Sequence, residues 1–315
     1  MVVLPAKSVD RQKGLALVIV LWMLTLLIIM ASSFSMTMRR EASIQSDIKA
    51  TTEAMAMAEA GVNIAIMQLM QSNEQLRWRS DNSLYEFMFE GVPIRVSITD
   101  ESGKIDLNQS DPQALRALLI SFGLAEDVAN KLLDAIADWR DVDDLPGPNG
   151  AEKDQYLSAG LKYAPRNKPF ESIEELQIVL GMTPDLYKQI EPLVTVFARG
   201  QALNPAKASR QLLMTMPNVT GQMVDSYLQQ RADNAKNGLP ETGPTWAAGS
   251  GGATQVYEIV AEAMPIEGVS GAVSAVIRQG QSRQGLPFVI LKWRRGGISG
   301  SLFADGENGR LLVPF

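Results

Sequence analysis

The 315 residues include no cysteine and no histidine. That excludes a disulfide framework, thiolate or imidazole metal sites, and nucleophilic catalysis of the Ser–His or Cys–His type. A catalytic site would have to be built from carboxylates, Lys, Tyr and Ser. A basic excess is also missing: 29 Lys and Arg stand against 35 Asp and Glu, a net charge of −6. Such a balance gives no general attraction for nucleic acid, although a local basic patch stays compatible with it. With 46% apolar and 20% charged residues the chain is globular in composition, with room for two domains.

One stretch lacks charge altogether. Leu15 to Met38 reads LALVIVLWMLTLLIIMASSFSMTM, bounded by Lys13 and Gly14 before it and by Arg39, Arg40 and Glu41 after it. As a helix this run is about 36 Å long, more than the roughly 30 Å of a bilayer's hydrocarbon, so it spans with some tilt. A cleaved secretory signal fits less well, since its apolar core is shorter and ends at small residues rather than at charges. Lys7, Arg11 and Lys13 against Asp10 make the leader net positive and favour a cytoplasmic amino terminus, a contrast weakened by Arg39 and Arg40. Removal of that leader leaves 26 cations against 34 anions, a balance of −8.

The helical pattern continues past the apolar run. No Pro occurs from Glu41 to Ser72, and Ile44, Ile48, Thr51, Met55, Ala58, Val62, Ala65 and Leu69 recur at steps of three and four, giving one apolar stripe. The stripe suits the protein's own sheet and partner helices equally. The period then changes to two. Tyr85 to Glu90 and Ile94 to Thr99 alternate about Gly91, Val92 and Pro93, which predicts a hairpin. Strand-like segments return only at Tyr257 to Ala263, Gly271 to Gln279 and Phe288 to Trp293. A sheet interrupted for so long implies an insertion.

The expected insertion, 101–240, is helical and repetitive. Leu107 to Ile136, Phe170 to Ile190 and Leu203 to Leu228 each read as two short helices about a tight turn, at Gly123-Leu124, Gly181-Met182 and Asn218-Val219. These units resemble helix-hairpin-helix modules, which often bind DNA through hairpin amides held at phosphates. Here Glu126, Asp127 and Asp185 occupy the places a phosphate would need, which favours a protein-interaction scaffold and no nucleic-acid partner. A Gly- and Pro-rich segment, Asp233 to Ala253, leads back to the sheet, and the tail from Gly296 shows no clear period.

Oxygen donors concentrate at Asp138-Trp139-Arg140-Asp141-Val142-Asp143-Asp144-Leu145, followed by a Gly/Pro loop and Glu152. Such an array can meet the six to eight oxygens that a hard cation requires, and Ca²⁺ suits it better than Mg²⁺, which demands strict octahedra. The spacing is not that of an EF-hand. A solvated acidic loop at a helix end would use the same residues. Asp100, Glu101 and Asp106 form a second acidic group, expected as a turn into the insertion.

Several of these motifs occur together in one family. Arg11-Gln12-Lys13-Gly14 followed at once by Leu15 resembles the processing site of type IV prepilins and type II secretion pseudopilins, where a membrane aspartyl peptidase cuts after the Gly; the resemblance places the cut between Gly14 and Leu15. Most members carry Glu at the fifth mature residue, and here that place is Ile19. A carboxylate in lipid is expensive without a partner, so a subunit with no neighbour ahead of it gains by losing the charge. Absence of this Glu, the LWML run at Leu21 to Leu24, and a DWxDxD, GAE, Tyr pattern matching Asp138-Trp139, Asp141, Asp143, Gly150-Ala151-Glu152 and Tyr156 resemble general secretion pathway protein K, the large minor pseudopilin of type II secretion.

That resemblance covers nearly the whole chain. It implies an α+β fold: a leader at 1–14, a membrane segment at 15–38, and a helix and first hairpin of a pilin body at 39–100. The inserted α-domain follows at 101–240, with a linker and returning strands at 241–315. It implies a structural Ca²⁺ at Asp141, Asp143 and Glu152, with Asp138 alongside; Asp144 and the Leu145 carbonyl are further candidates. It also implies a non-enzymatic, single-pass protein of the bacterial inner membrane with a periplasmic body. Its expected partners are two smaller minor pseudopilins bound through amino-terminal helices, the major pseudopilin below them and the prepilin peptidase. The competing readings are a membrane-anchored helix-hairpin-helix DNA receptor and a type IV pilus minor pilin.

Overall fold

The computed structural model describes residues 13–73, 76–109, 111–198, 202–247, 254–281, 285–296, 300–304 and 310–312. Most of the leader, and the GSGG run expected as a linker at Gly249 to Gly252, lie outside the described residues. The chain divides into two compact units, Met1–Thr52 and Glu53–Phe315.

Helix α1, Lys13–Leu69, contributes to both units. Its composition, rich in Leu, Met and Ala and without Pro, favours an uninterrupted helix. Gly14 sits in the first helical turn. From Leu15 to Met38 the apolar side chains are uncovered within the chain: Trp22 is 74% exposed and Leu15 72%. An apolar cylinder this long fits hydrocarbon rather than water.

In the second unit α1 lies on a sheet. Ala54, Ala58, Val62, Ala65 and Leu69 are buried, whereas Ile44 and Ile48, predicted on the same stripe, stay exposed. The sheet order is β7-β6-β5-β2-β1-β8. Strands β1 (Asp81–Phe89) and β2 (Val92–Asp100) form the expected hairpin, but its turn is only Glu90-Gly91, both at positive φ. Val92 and Pro93 belong to β2, pairing with Phe89 and Met88. Pro93 is tolerated because the partner on the other side of β2 takes up pairing only at Ile94, so no ladder hydrogen bond is lost there.

The inserted domain leaves the sheet after β2. Asp100 caps a 3₁₀ turn, Glu101–Gly103, by accepting from the Ser102 amide at 2.8 Å. Next come β3 (Ile105–Asp106), α2 (Pro112–Ser121), α3 (Glu126–Arg140), α4 (Lys153–Ser158) and α5 (Pro184–Ile190), then β4 (Val194–Thr195), α6 (Arg210–Met214) and α7 (Gly221–Lys236). The three predicted hairpins are present as α2–α3, a 3₁₀ segment at Ile173–Ile178 with α5, and α6–α7. The domain is not wholly helical as expected: β3 and β4 pair in parallel, Ile105 with Val194 and Asp106 with Thr195. Helix α7 also runs through Asp233 to Lys236, which the sequence reading gave to the linker.

The chain returns through β5 (Val256–Ile266), β6 (Val269–Gln279) and β7 (Phe288–Arg295). β5 pairs antiparallel with β2, from Ile94–Ala263 to Asp100–Tyr257, so the sheet is continuous across the insertion. One unforeseen strand, β8 (Arg310–Leu312), pairs in parallel with β1. Alternate residues Ile94, Val96 and Ile98 of β2, Ile259, Ala261 and Ala263 of β5, and Val273, Ala275 and Ile277 of β6 join the buried face of α1 in one core. Gly271 makes the close approach possible, since a Cβ there would lie 2.5 Å from the Met55 nitrogen. A second core fills the insertion around Leu118, Leu132, Trp139, Tyr156, Leu176, Ile190 and Leu212.

At the root of the insertion a buried ionic group ties the two halves together. Lys104 Nζ lies 2.8 Å from Glu101 Oε1 and 2.6 Å from Glu258 Oε2 of β5, and the Thr195 hydroxyl donates to Glu101. Burial pushes the Lys104 ammonium down, but the two carboxylates outweigh it and hold its pKa above the usual lysine range.

Candidate metal centre

Helix α3 buries Ala129, Leu132, Ala135, Ile136 and Trp139 on one face, at steps of three and four. The same packing carries Asp138 inward, to 3% exposure. Trp139 is fixed between Tyr156 and Phe170, with ring centroids 6.2 Å from each, and its indole N–H donates to Glu175 Oε2 at 3.2 Å. The helix ends when Asp141 turns to extended backbone.

Asp138 then folds the following loop back on the helix. Both of its oxygens accept from the Gly147 amide at 3.1 Å, and Oδ2 accepts from the Ala151 amide at 2.7 Å. Asp134 Oδ2 accepts from the Asn149 amide at 3.0 Å and from its side-chain nitrogen at 3.1 Å. Gly150 permits this wrap: a Cβ there would lie 1.9 Å from Asp138 Oδ2. The fold-back brings Glu152, at the start of α4, against the end of α3.

As a result, carboxylate oxygens of Asp141, Asp143 and Glu152 lie within 4.8 Å of one another. Among the described residues, Asp141 Oδ1 and Glu152 Oε1 are buried and have no hydrogen-bond partner. Burial, and then the charges of Asp138, Asp141, Asp144 and Asp143, push the Glu152 carboxyl up to about 7. Asp141 is also raised, by burial and by Asp143 and Asp138. Carboxylates packed together with buried, unsatisfied oxygens fit a hard divalent cation, which would offset both the repulsion and the desolvation. Three side chains supply fewer than the six to eight oxygens Ca²⁺ takes, so further donors are needed.

The structure thus gathers three of the four residues predicted as ligands. Asp138 stands behind the trio with both oxygens engaged by main-chain amides. Asp144 Oδ1 accepts from Asn167 Nδ2 at 2.8 Å, and the same nitrogen reaches the Asp143 carbonyl at 2.9 Å. Sequence reasoning missed Asn167, which holds the acidic loop from a segment 24 residues away at φ 52°. A single Asn in a Pro-rich stretch gives no local signal of that role. The predicted cleavage pair, Gly14 and Leu15, lies in the first turn of α1, with Leu15 exposed.

Residues 96–199 match the family model described as type II secretion system (T2SS), protein K. The chain is 30% identical over 152 residues to the type II secretion system protein K of Pseudomonas aeruginosa, covering 45% of each chain. With the protein of the same name from Dickeya chrysanthemi it shares 24% identity over 305 residues, covering 75% of this chain and 85% of that one. The aligned part thus spans just under half of the Pseudomonas relative and most of the Dickeya one. Among solved structures, the GspK-GspI-GspJ complex from the type 2 secretion system of enterotoxigenic Escherichia coli includes a chain that is 16% identical at a TM-score of 0.48, covering 83% of this chain and 100% of that one.

Proposed function

Because the chain belongs to the type II secretion system protein K family, we propose that it is the minor pseudopilin at the tip of the secretion pseudopilus, where it starts fibre assembly for the export of folded proteins. The observation that carries this reading is Ile19. An apolar side chain in lipid, at the position where a shaft subunit places a carboxylate against its neighbour's amino terminus, suits a protomer with nothing ahead of it. The inserted domain supports it, being a second folded core set between paired strands β2 and β5, bulk that is awkward inside a stacked shaft.

On this reading the prepilin peptidase cuts between Gly14 and Leu15, and residues 15–38 cross the bacterial inner membrane once with the body in the periplasm. The amino-terminal helix meets those of two smaller minor pseudopilins, with the major pseudopilin below. The protein is an assembly component rather than an enzyme and takes no nucleic acid; Glu126, Asp127 and Asp185 in the first turns of α3 and α5 would repel phosphate. Ca²⁺ held by Asp141, Asp143 and Glu152 would stiffen the loop after α3. The structure positions Asp138 to hold the backbone of that loop.

The test is deletion of the chain from a secreting cell. Export of folded exoproteins should stop and return with a plasmid copy; export at the normal level would contradict the reading. Mass spectrometry of the mature protein should find an amino terminus at Leu15.

A further inference from the structure

The loop that carries the acidic trio also carries two strongly exposed aliphatic side chains. Val142 is 87% exposed and Leu145 is 75% exposed. Val142 is therefore barer than any large apolar side chain of the membrane segment, where Met36 reaches 75%. Both alternate with the acids: Val142 stands between Asp141 and Asp143, and Leu145 follows Asp144. The loop is not slack. Asp138 and Asn167 pin its backbone from two sides, and the Leu145 amide donates to Asp143 Oδ1 at 2.9 Å. Apolar side chains held outward on a braced loop are presented rather than merely left exposed.

We propose that this loop docks on an anionic phospholipid surface in a calcium-dependent way, with Val142 and Leu145 entering the headgroup region and a lipid phosphate oxygen completing the cation's coordination. The inference rests on the calcium reading of Asp141, Asp143 and Glu152. Three observations favour lipid over a protein partner. The trio leaves coordination positions open, and phosphate oxygens are ligands of the hard type that Ca²⁺ takes. Two protruding side chains separated by acids make far less than the roughly 800 Å² per partner of a stable protein interface, yet they suit shallow insertion at a bilayer surface. Finally, Asp138, Asp141, Asp143, Asp144 and Glu152 against Arg140 leave the cation-free loop strongly negative and repelled by an anionic membrane, and a bound divalent cation halves that charge while bridging to the phosphate. Calcium would act as both bridge and switch.

The test uses the full-length chain in phosphatidylcholine nanodiscs, mixed with fluorescent vesicles of phosphatidylcholine alone or of phosphatidylcholine with phosphatidylglycerol. Calcium affinity is measured on the same preparation by titration calorimetry. The expected result is capture of the anionic vesicles in calcium, none in chelator, and none for Asp143→Asn. Val142→Ser should lower capture about tenfold while leaving calcium affinity unchanged. Calcium binding without vesicle capture, or capture indifferent to Val142→Ser, overturns the lipid assignment and leaves the calcium reading intact. Absence of calcium binding removes both, and capture in chelator overturns the switch.

Discussion

Asp138 Oδ2 accepts the amide of Ala151 at 2.7 Å, across a loop that begins and ends at the acidic trio. The first acid of the DWxDxD run therefore builds the site, whereas Asp141 and Asp143 furnish its oxygens. The two roles separate on substitution. Asp138→Asn replaces an acceptor with an N–H facing N–H, and should destabilise the chelated protein by about 2–3 kcal/mol. Asp143→Asn should leave the chelated protein's stability within about 0.5 kcal/mol and lower calcium affinity tenfold or more. Thermal melts in chelator, paired with calcium titration, check both.

Glu152 supplies a pH dependence with a definite sign. Its folded carboxyl is pushed up to about 7, above the usual glutamate range, so the cation-free fold binds more protons than the unfolded chain between the two values. Stability in chelator should therefore fall as pH rises toward 7 and level off above it. Calcium affinity should run the other way, weakening below pH 7 as protons compete for the carboxylate. Glu152→Gln should remove this contribution to the slope, as measured by chelated melts across pH.

Lys104 is the counter-charge for two acids, with Glu101 at 1% exposure. Lys104→Met strands Glu101 against Glu258 and should cost about 3–5 kcal/mol at neutral pH. Acidification should recover part of that loss, because burial raises the Glu101 pKa. Adding Glu101→Gln should recover most of it. Denaturant unfolding of the three variants decides the point.

Asn167 acts on the cation from outside the trio. Asn167→Ala removes both hydrogen bonds from its side-chain nitrogen and frees the Asp143–Asp144 backbone, so calcium affinity should fall about tenfold. Val at the same position should do more harm, since a branched residue resists φ 52°. Calorimetric titration of each variant measures it.

Much of this architecture is written in local pattern. The uncharged run from Leu15 predicts a membrane helix, period-two alternation predicts β1, β2 and the returning strands, and tight turns at Gly123, Gly181 and Asn218 mark three hairpins. The acidic cluster shows in the sequence as alternate acids before a Gly/Pro loop, but a solvated loop would read the same, and it is the family resemblance that singles out Asp141, Asp143 and Glu152. The rest depends on contacts that no window of sequence includes. Glu258 meets Lys104 across 154 residues. Asp138 resembles its neighbours in type, and only the packing that turns it inward beside Trp139 makes it a backbone acceptor. β8 is three residues long, too short for a period to show.

The central claim is that this subunit occupies the end of a fibre. Immunogold labelling of an epitope-tagged chain on pseudopili overproduced at the cell surface tests it most directly. Label confined to one fibre end, with Ile19→Glu spreading it into the shaft, is the predicted result. Label spaced along the whole length of wild-type fibres would contradict it.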